Sequence, residues 1–186
     1  ELTDISKQDE PFAFTLLTVD THHIGGYVCE YCGSNYEEQY ENVISCSSRQ
    51  VLEFVEWIKQ QDFYENTTII ITGDHPSMDN GYFSRNVEDG YIRRIYNCFI
   101  NCPVDTQHSK NRQFSSLDMF PTTLVAIGCT IEGDRLGLGT NLFSGVPTLI
   151  ESMGYNRFDN QVSMASDYYA EQFRLEVPEE EESTAP

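Results

Sequence analysis

Two apolar runs that halt at the same kind of residue pair constrain this chain more than any other feature. Residues 11–19 read PFAFTLLTV and lead straight into Asp20-Thr21-His22-His23. Residues 69–71 are three isoleucines, followed by Thr72-Gly73 and then Asp74-His75. Three of the chain's four histidines fall at these two places. Continuous uncharged runs suit strands buried on both faces. Between them Val51, Leu52, Val55 and Ile58 recur at helical spacing. Ser47, with Gln50 three residues on, offers a weak capping box, so the pattern predicts an amphipathic helix from 47 to about 61. Strand, helix, strand is a β-α-β unit. Its right-handed crossover makes the strands parallel and places both carboxyl ends on one edge of the sheet. In open α/β sheets that edge is where ligands bind. The expectation is an α/β fold with a mostly parallel sheet flanked by helices, and with the loops of Asp20–His23 and Asp74-His75 side by side.

The rest of the chain extends this pattern. Residues 27–42 are polar and tyrosine-rich without a clean period and read as a loop, as do 78–90. Residues 94–101 read as a further strand, ended by Cys102-Pro103. A helix is predicted from a cap near Asp118 to about Ile127, because Pro121 is tolerated only in a first turn and Gly128 stops it. Residues 147–153 suit one more short helix. Residues 1–160 are assigned to the folded body and 161–186 to an extension whose acidic end, from Glu176, is expected to be solvated and disordered. With 30 acidic against 11 basic residues and a net charge of −19, a nucleic-acid partner is excluded, since phosphate backbones demand a basic face. No apolar run approaches the roughly 20 residues of a membrane span.

Asp74 offers oxygen and His75 nitrogen, a pair that suits a borderline divalent ion. A complete site needs about four ligands, so His22 or His23 is expected to supply a third or to meet a substrate oxygen. Asp20 holds a backbone amide, orients a histidine or touches the metal. The plainer alternative is that Asp74-His75 caps a turn in solvent. Cys29, Cys32, Cys46, Cys98, Cys102 and Cys129 leave disulfides, free thiols and zinc all open. Cys29-x-x-Cys32 invites a zinc or redox reading, with Cys98 and Cys102 as a loose second pair. Arg85, Arg93 and Arg94 read as surface charges, Ser115-Ser116 as a helix cap, and Gly137-x-Gly139 as too short for a phosphate loop.

The stretches LLTVDTHHIGGYVCEYC (16–32), IIITGDHPSMDN (69–80), SSLDMFPTTLVAIG (115–128) and RLGLGTNLFSG (135–145) occur in this order. Together they resemble the phosphoglycerol transferases of bacterial envelopes, in the sulfatase and alkaline-phosphatase superfamily. The likeness covers roughly residues 12–150. It is nearer to the oligosaccharide-modifying branch than to lipoteichoic acid synthase.

The resemblance implies that Asp74 and His75 are metal ligands, usually for manganese, with magnesium or zinc as alternatives. It implies that His22 is a catalytic and substrate-binding residue at the phosphoglycerol group, with His23 beside it. It matches Cys32 and Cys46 to a disulfide. It implies transfer of phosphoglycerol from a phosphatidylglycerol-type lipid to an envelope glycan or teichoic-acid-type acceptor, on the outer face of the cytoplasmic membrane, with anchoring helices upstream. The family's threonine nucleophile, a glutamate ligand and a phosphate-gripping arginine come from the amino-terminal half of the domain. The chain is therefore expected to be the carboxyl-terminal half, inactive alone and prone to self-association through an uncovered sheet edge. A hydrolase of the same superfamily and a non-catalytic binding fragment are the competing readings.

Overall fold

The computed structural model describes residues 1–8 and 10–173. They fall into two compact units, one of residues 1–105 with 123–129, the other of 106–122 with those from 130 onward. The acidic tail expected from Glu176 lies outside the described residues.

The first unit holds α1 (Leu2–Ile5), α2 (Gln39–Lys59), β1 (Ile69–Thr72), α3 (Asn80–Asn86) and β2 (Asn97–Ile100). β1 and β2 pair antiparallel, Ile69 opposite Ile100 and Thr72 opposite Asn97. Gly73 N–H donates to the Tyr96 carbonyl at 3.0 Å and carries the pairing one residue further.

The expected parallel β-α-β unit is not formed. Residues 11–19 join no ladder, and Leu16, Leu17 and Val19 are 59%, 75% and 63% exposed. An apolar run favours a strand but does not name its neighbour, and a strand without hydrogen-bonded neighbours is not stable. The crossover rule acts only on strands of one sheet, and the partner of β1 is the next strand in sequence. The chain is α/β, with helices and small antiparallel sheets.

Helix α2 starts at Gln39, not at the predicted Ser47. Its buried side is Tyr40, Val43, Cys46, Ser47, Val55 and Ile58, so the apolar stripe begins two turns earlier than its strongest part. Ser47 is buried inside the helix and caps nothing. The amino end is closed instead by Asn42, whose amide donates to the carbonyls of Tyr36 (2.8 Å) and Glu38 (3.1 Å) and accepts from Tyr36 N–H. Trp57 lies parallel to Phe54 and edge-on to Phe63 and packs against both rings.

The second unit contains the 3-10 turn Ser116–Asp118, β3 (Arg135–Leu136), β4 (Gly139–Thr140), α5 (Leu149–Met153), α6 (Tyr155–Val162) and α7 (Asp167–Phe173). Helix α4 (Met119–Ala126) starts in this unit and ends in the first. The expected cap is present: the buried Asp118 carboxylate accepts from Ser115 N–H (2.9 Å) and Oγ (3.2 Å), and from Thr140 N–H at 2.7 Å. Gly139 lies so close to the Leu117 carbonyl that no Cβ fits. Gly137-x-Gly139 is thus the tight turn of a β3–β4 hairpin, in line with its reading as no phosphate loop.

Candidate functional site

The loop after residue 19 is a closed turn. Tyr27 N–H donates to the Asp20 carbonyl at 2.7 Å, so it is the backbone of Asp20 that works here. Gly25 and Gly26 both take positive φ, +71° and +67°, which an L side chain rarely adopts. A Cβ on Gly26 would also lie 2.7 Å from Val43 of α2 and 2.8 Å from the Asp20 carbonyl. The two glycines therefore let the loop turn tightly against α2 and hold His22 and His23 at its tip. The two imidazoles stack with centroids 4.7 Å apart. His22 is exposed and His23 half-buried. His22 Nδ1 lies 2.8 Å from the His23 carbonyl. A carbonyl only accepts, so Nδ1 carries the proton and the neutral ring keeps its lone pair on Nε2.

The loop after β1 repeats the device. His75 Nδ1 lies 2.9 Å from the Pro76 carbonyl, which again leaves the lone pair on Nε2. The Asp74 carboxylate accepts from His75 N–H at 2.9 Å, and its other oxygen stands 3.5 Å from His75 Nε2. Two donors held about 2.1 Å from one tetrahedral ion are about 3.4 Å apart. The pair thus fits two ligands of one divalent ion, with its tautomer fixed by a backbone partner as metal-bound histidines require. Both side chains are exposed.

Two buried side chains tie these loops together. The Tyr40 hydroxyl of α2 lies 3.0 Å from the Thr21 carbonyl and 2.6 Å from Ser77 Oγ. Tyr40 must give its proton to the carbonyl, so it accepts from Ser77. Ser77 Oγ in turn accepts from Asp79 N–H at 3.2 Å. The result is one hydrogen-bond chain from the second loop to the first. Asp79, 6% exposed, forms the second tie. One carboxylate oxygen accepts from Gly25 N–H at 2.8 Å, and the other caps α3 through Tyr82 N–H at 3.0 Å. These amides, Tyr82 first, hold its carboxyl below the usual range, with smaller help from Arg85 and His23. Arg93 donates to the Ser77 carbonyl at 2.6 Å while its guanidinium lies 4.4 Å over the Phe83 ring. It is a loop support, where the sequence suggested a surface charge.

The cysteines depart from expectation. All six are free thiols, and the Cys32–Cys46 disulfide suggested by resemblance is not formed. Cys29 joins the pair: its sulfur stands 3.6 Å from Cys32 and 3.7 Å from Cys46, so three sulfurs share one place at non-bonded distance. The Tyr31 backbone N–H is the main cause holding the Cys29 thiol below its ordinary pKa, whereas burial pushes Cys46 up to about 11.

The site thus defines a class of α/β chain in which a strand-end loop pairing a carboxylate with an imidazole is clasped to a loop of paired histidines, donor types that could hold a divalent ion. Comparison with known proteins narrows the class: the sulfatase family matches residues 1–129, and the chain belongs to that family. It is similar to proteins named phosphoglycerol transferase I. That of Salmonella choleraesuis is 28% identical over 149 residues, 76% of this chain and 19% of the relative. Those of Citrobacter koseri and Escherichia fergusonii are 32% and 30% identical over 83 residues, 41% of this chain and 11% of each relative. The chain thus spans less than a fifth of these curated relatives. No solved structure matches it. Among the described residues no helix is long and apolar enough to cross a membrane.

Proposed function

We propose that this chain supplies the metal-binding loop and the histidine loop of a phosphoglycerol transferase. The donor is a phosphatidylglycerol-type lipid and the acceptor an envelope glycan or a teichoic-acid-type polymer, on the outer face of the bacterial cytoplasmic membrane. Asp74 and His75 hold a divalent ion, manganese before magnesium or zinc. His22 meets the phosphate of the substrate, and His23 lines the same side. Residues 1–160 are a portion of the catalytic domain and 161–186 an extension. The apolar run 11–19 is a strand of the mostly parallel sheet of the whole domain.

The observation that carries this reading is the double clasp, Tyr40 with Ser77 and Asp79 with Gly25, which ties the histidine loop to the Asp74-His75 loop. The names of the relatives supply the reaction. A bound ion would neutralise phosphate charge and acidify the attacking hydroxyl. With Nδ1–H held by its own loop, His22 takes a proton at Nε2 from an attacking hydroxyl. As the imidazolium it then donates from that atom to a phosphate oxygen or to the leaving group. The loop carbonyls of His23 and Pro76 keep both imidazoles in the tautomer this work needs. The sulfatase description of the matched family also favours a second reading, a hydrolase, in which water takes the place of the sugar hydroxyl.

Transfer of labelled phosphoglycerol from phosphatidylglycerol to a glucan, measured on membranes carrying the complete enzyme that contains this chain, tests this. Asp74→Ala and His75→Ala should each lower transfer by roughly a thousandfold, the scale of several kcal/mol supplied by a bound ion. His22→Ala should lower it about a hundredfold, the contribution of a positioned acid–base group. Undiminished transfer in the Asp74→Ala and His75→Ala proteins sinks the proposal. Release of free glycerol phosphate without an acceptor selects the hydrolase.

A further inference from the structure

The three sulfurs of Cys29, Cys32 and Cys46 are outside the clasped loops and outside the chemistry proposed for them. Cys29 and Cys32 lie on the loop that precedes α2, and Cys46 is on that helix, two turns from its start. A turn closed by Cys32 N–H on the Cys29 carbonyl, 3.1 Å, brings the first two sulfurs to the same place. All three lie within 4.8 Å of one another.

Their spacing separates two kinds of chemistry. A disulfide holds its sulfurs about 2.05 Å apart. A tetrahedral ion with metal–sulfur bonds of about 2.3 Å holds its ligand sulfurs about 3.8 Å apart. The observed separations of 3.6 Å and 3.7 Å match the second. Hydrogen-bond donors face two of the sulfurs as well, against the burial that disfavours a bare Cys46 thiolate. Gln50 Nε2 approaches Cys46 at 3.3 Å and Cys29 at 3.8 Å, and Arg49 Nη2 stands 3.5 Å from Cys46 while donating to the Tyr31 carbonyl at 2.6 Å. Three thiolates around a divalent ion leave one net negative charge, and Arg49 faces it. Donors of this kind orient sulfur ligands and stabilise their charge. A cleft of about 220 Å³ is lined by Tyr31, Arg49, Gln50 and Glu53, of which Arg49 and Gln50 also approach the Cys46 sulfur.

We propose that Cys29, Cys32 and Cys46 form a thiolate site for one soft or borderline divalent ion, zinc by preference, which staples the loop before α2 onto the helix. The site is separate from the Asp74-His75 pair and does not depend on the transferase reading.

The whole chain, reduced and stripped with a chelator, is titrated with cobalt(II) alone in the absence of oxygen. One equivalent should produce the intense sulfur-to-cobalt charge-transfer absorption of a tetrahedral thiolate site, and zinc(II) should displace it. Cys29→Ser and Cys32→Ser, both on the loop, should each weaken cobalt binding at least tenfold and reduce the charge-transfer intensity. Cys129→Ser, at an exposed position, and the double variant Asp74→Ala/His75→Ala should leave that absorption unchanged. Because Cys46 is buried in the helix, the loop variants carry the test. Cobalt bound without sulfur charge transfer overturns the proposal, and so does unaltered binding in both loop variants. A disulfide joining two of the three sulfurs in protein isolated without reductant would also overturn it.

Discussion

Two carboxylates, one in each unit, perform the same local task with different partners. Glu151 and Asp79 each cap the start of a helix and reach back to a loop distant in sequence. Glu151 closes a capping box with Thr148, accepting from its N–H at 2.9 Å, and also accepts from Gln113 N–H at 3.1 Å. Its main partner is Arg112, whose Nε and Nη2 both donate to it at 2.9 Å. Arg112 sends its remaining protons to the carbonyls of Leu142, Ser144 and Val146, which uses all five N–H donors of the guanidinium. Asp79 has only backbone amides for close partners, those of Gly25 and Tyr82. The Glu151 region closes on itself, charge against charge. The Asp79 region closes only its supports and leaves the Nε2 atoms of His22 and His75 and the Asp74 carboxylate at exposed residues. A cluster that satisfies its own ligand atoms stabilises a fold. A cluster that satisfies only the groups behind them prepares a site.

The largest effect separating the two regions should come from Glu151→Gln. Arg112 holds the Glu151 carboxyl down from 4.5 to about 2. A depressed carboxyl stabilises the fold fully above its unfolded pKa, and that stability is lost as pH falls through the folded value. The native protein should therefore lose about 2–3 kcal/mol between pH 4.5 and pH 2 through this group. Glu151→Gln should lose a similar amount already at pH 7, because Arg112 keeps its charge without a counter-ion, and should lack that part of the acid dependence. Denaturant midpoints of both proteins at pH 7 and pH 3 test this. Equal acid sensitivity would mean that the ion pair contributes nothing.

Much of the scaffold was legible because it follows local rules. The isoleucines before Gly73 gave β1, the spacing of Val51, Val55 and Ile58 gave the second half of α2, and Ser115 with Asp118 gave the cap before α4. The misreadings were of two kinds. Asn and Ser residues around 35–48 masked the early start of α2, because such residues ordinarily favour loops and caps. Here Asn42 closes the helix end from inside its first turn. The run at 11–19 had the composition of a strand, but composition is silent about partners. The clasp was the least legible part. Tyr40 reaches Ser77 across 37 residues and Asp79 reaches Gly25 across 54, and no local spacing encodes such pairs. One local signal was available: Asp79 with Tyr82 three residues on is a helix N-cap pattern, hidden within an Asp-Asn-Gly stretch that reads as a turn. Cys29-x-x-Cys32 was marked as a zinc or redox candidate, but only the fold brings Cys46 against Cys29.

Asp79→Asn should have a smaller effect, felt mainly at the site. An asparagine presents one acceptor oxygen, so it keeps either the Gly25 amide or the Tyr82 amide and gives up the other. Loosening the loop behind Asp74 and His75 should weaken manganese binding about 10–100-fold, the usual cost of losing a supporting group. Calorimetry reads the affinity. Proton NMR at saturating manganese reads the geometry: the His22 ring signals should broaden in the native chain and broaden less in the variant. Unchanged affinity together with unchanged broadening would show that the carboxylate is structural only, like Glu151.

Tyr40→Phe is the finest test, because it removes one oxygen and keeps the ring that packs edge-on against Tyr82 at 5.2 Å. The variant breaks the chain from Asp79 N–H through Ser77 to the Thr21 carbonyl and leaves the Asp79–Gly25 tie in place. A single buried hydrogen bond of this kind contributes about 1 kcal/mol, so the midpoint of unfolding should fall by that amount. The site should respond less than in Asp79→Asn, since one of two clasps survives. If the two ties act together, the double variant Tyr40→Phe/Asp79→Asn should weaken manganese binding by more than the product of the single effects. If the losses simply multiply, each clasp holds its own loop, and the link between the histidine loop and the Asp74-His75 loop is two independent bonds rather than one cooperative support.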